Sequence, residues 1–214
     1  MPGSGGRPSV ADAALLGDRI VAAASTLFLR DGYAATSVEA ITALAGMSKR
    51  TFYARFDGKG AVFLAVVRVL VRTWLSGFDD SLDGADTLED ALLAASRRML
   101  EVALTPTALA LHVLITAEIQ RLPELAGSLR QAGVGLGITK VAALLRAHAP
   151  QLTSERAYFA AEQFQNLIVS VPQRRALGLG PPLDAAAREH WCQWSVALLL
   201  HGLSVDRVQT GTVT

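Results

Sequence analysis

The feature that most constrains the fold is a pair of short predicted helices joined by a glycine-containing turn, at about residues 36–56. Thr36 and Ser37 are good N-cap residues for the first helix, and Ser48 is one for the second. Gly46 between them can adopt the positive φ that a tight turn between helices demands. A longer helix with an apolar stripe precedes the pair. A short second helix held on support helices has the shape needed to enter the major groove of DNA.

The second of these helices separates apolar from polar side chains. Phe52 and Phe56 lie one turn apart and are predicted to face the core. The polar residues left for its outer face are Ser48, Lys49, Arg50, Thr51 and Tyr53. Lys49 and Arg50 are candidate readers of base edges, because arginine can bind guanine O6 and N7 in a bidentate manner. Solvated surface charge is the alternative interpretation of both.

Helical signals continue through the rest of the chain, and no strand-like alternation of useful length is found. Hydrophobic residues make up 51% of the 214 residues, enough to bury a core. The sequence therefore predicts an all-α fold of about nine helices, including one from Pro123 to Pro150. The predicted parts are a flexible arm (1–10), a three-helix helix-turn-helix head (11–78), a larger helical bundle (79–205) and a tail (206–214).

Charge is distributed unevenly although the net charge is only +1. Residues 1–70 carry eight Lys and Arg against five Asp and Glu, and the excess is densest at 46–60. Such a patch suits a modest phosphate-binding surface, and a solvated helix face is the alternative. The single cysteine, the lack of a signal peptide and the short apolar runs indicate a cytoplasmic protein that does not associate with membranes.

Catalytic and metal chemistry find little support in the residues. His190 and Cys192 are two positions apart, which places them on different sides of a helix, and no third ligand is apparent. A glycine-rich phosphate loop is also missing. We therefore expect no enzymatic activity, no metal and no cofactor.

One segment, from Gly32 to Phe63, carries a set of residues at fixed spacing: Gly32-Tyr33, Thr36-Ser37, Ile41, Ala45-Gly46, Ser48, Thr51, Tyr53, Phe56 and Lys59. This segment closely resembles the DNA-binding head of the TetR family of transcriptional regulators, and the resemblance covers roughly Asp18 to Val67. The remainder is similar to the family only as an all-helical regulatory domain. Gly60 departs from the acidic residue usual in the family, and Thr42 from a small alanine.

The resemblance implies roles for the head residues. Thr36 or Ser37 would offer a hydroxyl and backbone N–H groups to a phosphate at an electropositive helix end. Tyr53 and Lys59 would contact phosphates, and Ser48 and Thr51 either the backbone or the bases. For Tyr53 a surface tyrosine packed on its neighbours is the alternative interpretation.

The resemblance also implies a homodimer on palindromic double-stranded operator DNA. The last two long helices, at about Ser154–Leu177 and Asp184–Leu203, are the expected dimer interface. A cavity for an apolar or amphipathic effector is expected among Trp74, Phe78, His112, Glu118, Gln120, Phe164 and Gln165. Core packing is the alternative interpretation of these residues, including His112.

A ligand-responsive repressor is therefore the leading hypothesis for function. An activator of the same fold is the first alternative, and nothing in the sequence separates the two. A helical ligand-binding or adaptor protein that no longer binds DNA is the second. The presence of Tyr53, Lys59 and a basic second helix argues against that alternative.

Overall fold

Eleven α-helices, one 3₁₀ turn and one π-helical segment make up the regular structure of residues 10–119, 124–131 and 135–204, which a computed structural model describes. The α-helices are α1 (Val10–Asp31), α2 (Val38–Ala45), α3 (Lys49–Tyr53), α4 (Lys59–Leu75), α5 (Leu88–Ala103), α6 (Pro106–Ile119), α7 (Glu124–Gln131), α8 (Leu136–His148), α9 (Ser154–Gln165), α10 (Val171–Ala176) and α11 (Ala185–Ser204). The described residues contain no strand, and the predicted all-α class is confirmed.

The single helix predicted from Pro123 to Pro150 is wrong, because α7 and α8 are separate helices. Gly135 directly before α8 has φ +99°, a conformation that cannot continue an α-helix. Pro123 lies outside the described residues. This division adds a helix to the predicted nine.

The long helix predicted over Ser154–Leu177 is continuous but changes its winding. Between α9 and α10 the chain forms a π-helical segment, Asn166–Ser170. Pro172 is the second residue after this segment, and its ring would clash with the carbonyl four residues earlier in a regular α-helix. The wider π turn relieves that conflict. It leaves the carbonyl of Leu167 available, which accepts a hydrogen bond of 2.8 Å from the indole N–H of Trp191 on α11.

Two compact units divide the described chain. The first unit comprises residues 10–73 together with 110–119 and 124–131, and the second comprises 74–109 and 135–204. The chain changes from the first unit to the second at residues 73/74, whereas the sequence pattern predicted a boundary near Phe78. The structure differs in grouping the end of α6 and the whole of α7 with the first unit, whereas the sequence pattern assigned them to the larger bundle.

Each unit has its own apolar core. In the first unit Phe28, Phe52 and Phe63 are fully buried, and the Phe28 and Phe63 rings meet edge to face with centroids 5.6 Å apart. In the second unit helices α5, α8, α9 and α11 surround a core that includes Leu92 and Leu145. Burial of this order stabilises a helical bundle by about 25 cal/mol per Å² of apolar surface.

The apolar stretch at residues 59–82 is long enough, by length and composition alone, to cross a membrane. A core helix of a water-soluble protein passes the same test. The buried face of α4 includes Val62, Phe63, Val66 and Val67 within the core of the first unit. Arg68 and Arg72 lie on the exposed side of the same helix. Packing within the head buries about one third of the apolar window, and Val69 on the same helix is exposed.

Candidate nucleic-acid interface

Local capping defines both ends of α2. The Ser37 hydroxyl at its N-cap accepts a hydrogen bond of 3.1 Å from the backbone N–H of Ala40. At the other end Gly46 takes φ +64°, as predicted, and its N–H donates to the Ala43 carbonyl at 3.2 Å. Met47 N–H donates to the Thr42 carbonyl at 2.9 Å, which completes a Schellman arrangement. The chain is thereby turned sharply into α3.

Arg19 on α1 secures this turn, a role that sequence reasoning missed. Its Nη2 atom donates a hydrogen bond of 2.7 Å to the carbonyl of Ala45, the last residue of α2. The guanidinium therefore binds the electronegative end of α2 and fixes that helix on α1. A signal was present in the sequence, since Arg19 is a charged residue directly beside the apolar stripe that begins at Ile20.

The short helix α3 presents a polar outer face over an apolar inner face. The Ser48 hydroxyl caps it by accepting from the backbone N–H of Thr51 at 3.1 Å, and the two hydroxyl oxygens lie 3.0 Å apart. Phe52 is fully buried, as predicted, whereas Phe56 is only half-buried. The Tyr53 ring packs edge to face on Phe52, with centroids 5.3 Å apart, and is 55% exposed. Its position leaves the phenol accessible to a ligand.

The two predicted base readers differ in their surroundings. Arg50 is exposed on the outer face of α3. Lys49, also exposed, forms an ion pair with Glu39 in the first turn of α2. Each partner favours the charged form of the other, so the pKa of Lys49 is raised and that of Glu39 is lowered. The ion pair joins the beginnings of α2 and α3.

Thr36 faces inward, which does not fit the prediction that its hydroxyl could meet a phosphate. Its side chain is 3% exposed, and the hydroxyl donates a hydrogen bond of 2.8 Å to the carbonyl of Gly32. The bond closes the turn between α1 and α2. Ser37, the next residue, is exposed at the N-cap of α2, and its contact with a phosphate stays a prediction.

Lys59 also points inward, in contrast to the predicted phosphate contact. Its ammonium donates to the carbonyls of Tyr33 at 2.8 Å and Thr36 at 2.9 Å, and more weakly to that of Ala34 at 3.4 Å. The nitrogen lies 4.3 Å from the centre of the Tyr33 ring. Burial is the main cause that lowers the pKa of Lys59, and the charge of Glu118 opposes it. The residue closes the turn that positions α2.

The candidate effector residues fall into both units. Phe78 and Phe164 belong to the buried core of the second unit, where Trp74 and Gln165 are half-buried. His112 and Glu118 lie on α6 in the part grouped with the first unit; His112 is half-buried, and Glu118 is 6% exposed. Gln120 lies outside the described residues.

His190 and Cys192 of α11 lie in different surroundings and do not face a common site. Cys192 is buried, and burial raises the pKa of its thiol. The His190 ring stacks on Trp194 at the exposed side of the helix, with centroids 5.7 Å apart. Among the described residues, no group of three or more His, Cys, Asp or Glu side chains could hold a metal ion.

The surface formed by Ser37, Ser48, Arg50, Thr51 and Tyr53, with Lys49 at its edge, is defined here as the α2–α3 face. The α2–α3 face combines hydroxyl groups, cationic groups and the N-termini of two helices, which are capped by Ser37 and Ser48. Such a surface can donate hydrogen bonds to phosphate oxygens and present an arginine to base edges.

Known proteins share both the sequence pattern and the fold. Residues 20–66 match the tetR family of bacterial regulatory proteins, and residues 90–202 match the C-terminal domain of AefR-like transcriptional repressors. No curated protein matches the chain in sequence.

Solved structures of the same fold cover nearly the whole chain. A TetR-family transcriptional regulator from Mesorhizobium loti is 26% identical with a TM-score of 0.75, over 89% of this chain and 97% of that one. The flavonoid-responsive regulator FrrA is 28% identical with a TM-score of 0.69, over 88% and 97%. The fatty acid degradation regulator FadR from Bacillus halodurans, at 18% identity and a TM-score of 0.64 over 86% and 94%, shares the fold. The chain belongs to the TetR family of bacterial transcriptional regulators, which act by binding DNA and not as enzymes.

Proposed function

We propose that this regulator is a ligand-responsive repressor that binds a palindromic operator as a homodimer in the cytoplasm. The observation that carries the proposal is the α2–α3 face, where Arg50 and Tyr53 are exposed on a short helix that is capped and anchored on its inner side. The match of residues 90–202 to AefR-like repressors favours repression over activation.

On this face we assign Arg50 and Lys49 to base edges in the major groove. Tyr53 and the Ser37 end of α2 are assigned to phosphates, with Ser48 and Thr51 at either the backbone or the bases. Thr36 and Lys59 would act on DNA binding only indirectly, since both are engaged in the turn between α1 and α2.

The proposed dimer forms through α9 and α11. These helices expose large apolar side chains: Phe159 is 61% exposed, Trp194 68% and Leu198 62%. An apolar surface of this kind on two neighbouring long helices is typical of a protein interface. Trp194→Asp is expected to yield monomers in light scattering. Leu179→Asp, at an equally exposed apolar residue outside the helices, is the matched control and should stay dimeric.

The proposed effector is an amphipathic small molecule with an aromatic ring, since the relative FrrA is described as flavonoid-responsive. An effector releases the operator only if it binds the DNA-incompetent arrangement more tightly. Trp74 and Gln165, both half-buried in the second unit, remain candidate aromatic and polar contacts there. Flavonoids, compared with aliphatic acids of similar size, should raise the melting temperature and release DNA if this assignment is correct.

The decisive experiment is the selection of bound sequences from a random DNA pool. Wild-type protein is compared with a variant that combines Lys49→Ala, Arg50→Ala and Tyr53→Phe. A palindromic site enriched by the wild type alone is the expected result and would supply the operator. If neither protein enriches a site after unfolding, ligand removal and refolding, a ligand-binding or adaptor protein without DNA binding would be the better description.

A further inference from the structure

The ion pair between Glu39 and Lys49 places a carboxylate inside the surface that is proposed to bind DNA. Glu39 lies in the first turn of α2, and Lys49 is the first residue of α3. Both side chains extend from the surface, with exposed fractions of 61% and 57%. The pair therefore forms on the solvent side of the two helices and covers none of their apolar core.

The carboxylate of Glu39 occupies the Lys49 ammonium, a donor that a phosphate would also use. The pKa of Glu39 is lowered first by Lys49 and then by a backbone N–H of its own residue, with a further contribution from the Ser37 hydroxyl. An anion in the first turn of a helix is stabilised by the orphan N–H groups and the helix dipole. A DNA phosphate that approached Lys49 and the start of α2 would meet a negative charge already in place.

We propose that Glu39 is an internal competitor that occupies Lys49 in the free protein and weakens the sequence-independent affinity of the head for DNA. The inference rests on the proposed function, because it requires Lys49 to lie on the DNA-facing surface. Lys49 can contact DNA in two ways. Either the ammonium separates from the Glu39 carboxylate, or the ion pair stays intact and the carboxylate is brought close to the DNA phosphates.

The expected size of the effect follows from the exposure of the pair. Exposed ion pairs are weak, so removal of the carboxylate should raise the affinity for random DNA about two- to fivefold per head. On random-sequence DNA, where no base edge is read specifically, the released lysine would neutralise one more phosphate and steepen the dependence of log K on log salt by about 0.9 per head. Between 50 and 200 mM salt, this adds a loss of about 3.5-fold per head.

The test is a double-mutant cycle of Glu39→Gln and Lys49→Ala, measured on a random-sequence duplex over that salt range. Glu39→Gln keeps the shape of the side chain and should bind more tightly with a steeper salt dependence. In the Lys49→Ala background the same substitution should leave the salt dependence unchanged. Glu89→Gln is the matched control, since Glu89 is exposed, lies in the first turn of α5 and occupies the same position after its N-cap residue Thr87.

Three results would overturn the inference: no change with Glu39→Gln, an equal gain with Glu89→Gln, or an equal gain with and without Lys49. The last would show a general effect of net charge. Melting temperatures of all variants confirm that folded proteins are compared. A failure of the proposed DNA-binding face can be told apart from a failure of this inference. In that case the Lys49→Ala and Arg50→Ala variants would bind DNA as tightly as the wild type.

Discussion

Replacement of Lys59 by methionine removes an ammonium group while retaining most of the aliphatic side chain. The ammonium makes two short hydrogen bonds, to the carbonyls of Tyr33 and Thr36, and lies over the Tyr33 ring. Hydrogen bonds from a charged donor contribute about 1.5–3 kcal/mol each, and a cation over a ring adds about 0.5–1 kcal/mol. The ammonium is also freed from a partly buried position, which offsets part of the loss. We expect a net destabilisation of about 3 kcal/mol.

In a protein of this length, such a loss lowers the melting temperature by roughly 6–12 °C, which thermal unfolding followed by circular dichroism measures directly. Lys49→Met is the matched control: its ion pair lies on the surface, so its melting temperature should change by no more than about 2 °C. The folded fraction of Lys59→Met should bind DNA with an unchanged salt dependence. An unchanged melting temperature with a shallower salt dependence would refute the reasoning and restore Lys59 as a phosphate contact.

Gly46→Ala should destabilise the protein by about 1–2 kcal/mol, because φ is +64° and the new Cβ would lie 3.3 Å from a guanidinium nitrogen of Arg19. Gly17→Ala within α1 meets nothing within 4 Å and should instead stabilise by about 0.5–1 kcal/mol in denaturant unfolding. Arg97 lowers the pKa of Glu189 below its ordinary 4.5, chiefly by hydrogen bonding. A carboxyl group whose pKa is lower in the folded than in the unfolded protein stabilises the fold above the unfolded pKa. This stabilisation is lost as the pH falls through the folded pKa. Glu189→Gln should thus lower the melting temperature at pH 7 by about 1–3 °C but not at pH 2, and equal losses at both would contradict this. Arg50→Ala should cost about 1–3 kcal/mol at one base position, and an unchanged preference in a base-by-base scan would exclude Arg50 as a reader.

The helix-turn-helix was predictable because its signals are local. The N-cap hydroxyls of Ser37 and Ser48 bond to backbone groups three residues away, and Gly46 supplies a conformation that other residues rarely adopt. Thr87 caps α5 by the same local contact, since its hydroxyl accepts from the backbone N–H of Asp90 at 3.1 Å. The break between α7 and α8 was missed, although Gly135 lies there, because a glycine within an apolar pattern is also compatible with a continuous helix.

The inward direction of Thr36 and Lys59 was not predictable from spacing alone. A serine or threonine at a helix start is equally able to face solvent, and only the turn geometry places the Thr36 hydroxyl on Gly32. The same holds for the pairing of Glu39 with Lys49, which requires the first turns of two helices to lie side by side.

The sequence by itself determined the helical class, both ends of α2, the beginning of α3 and the polarity of the α3 faces, because these depend on residues within one or two turns of one another. The end of α3 at Tyr53 falls short of the predicted Phe56. Only the tertiary structure decided where long side chains go. The three carbonyls that bind Lys59 lie 23 to 26 positions earlier in the chain, and the one that binds Arg19 lies 26 positions later. A long side chain such as lysine or arginine donates its hydrogen bonds to the strongest acceptors within reach. Only the folded structure brings those acceptors close to it.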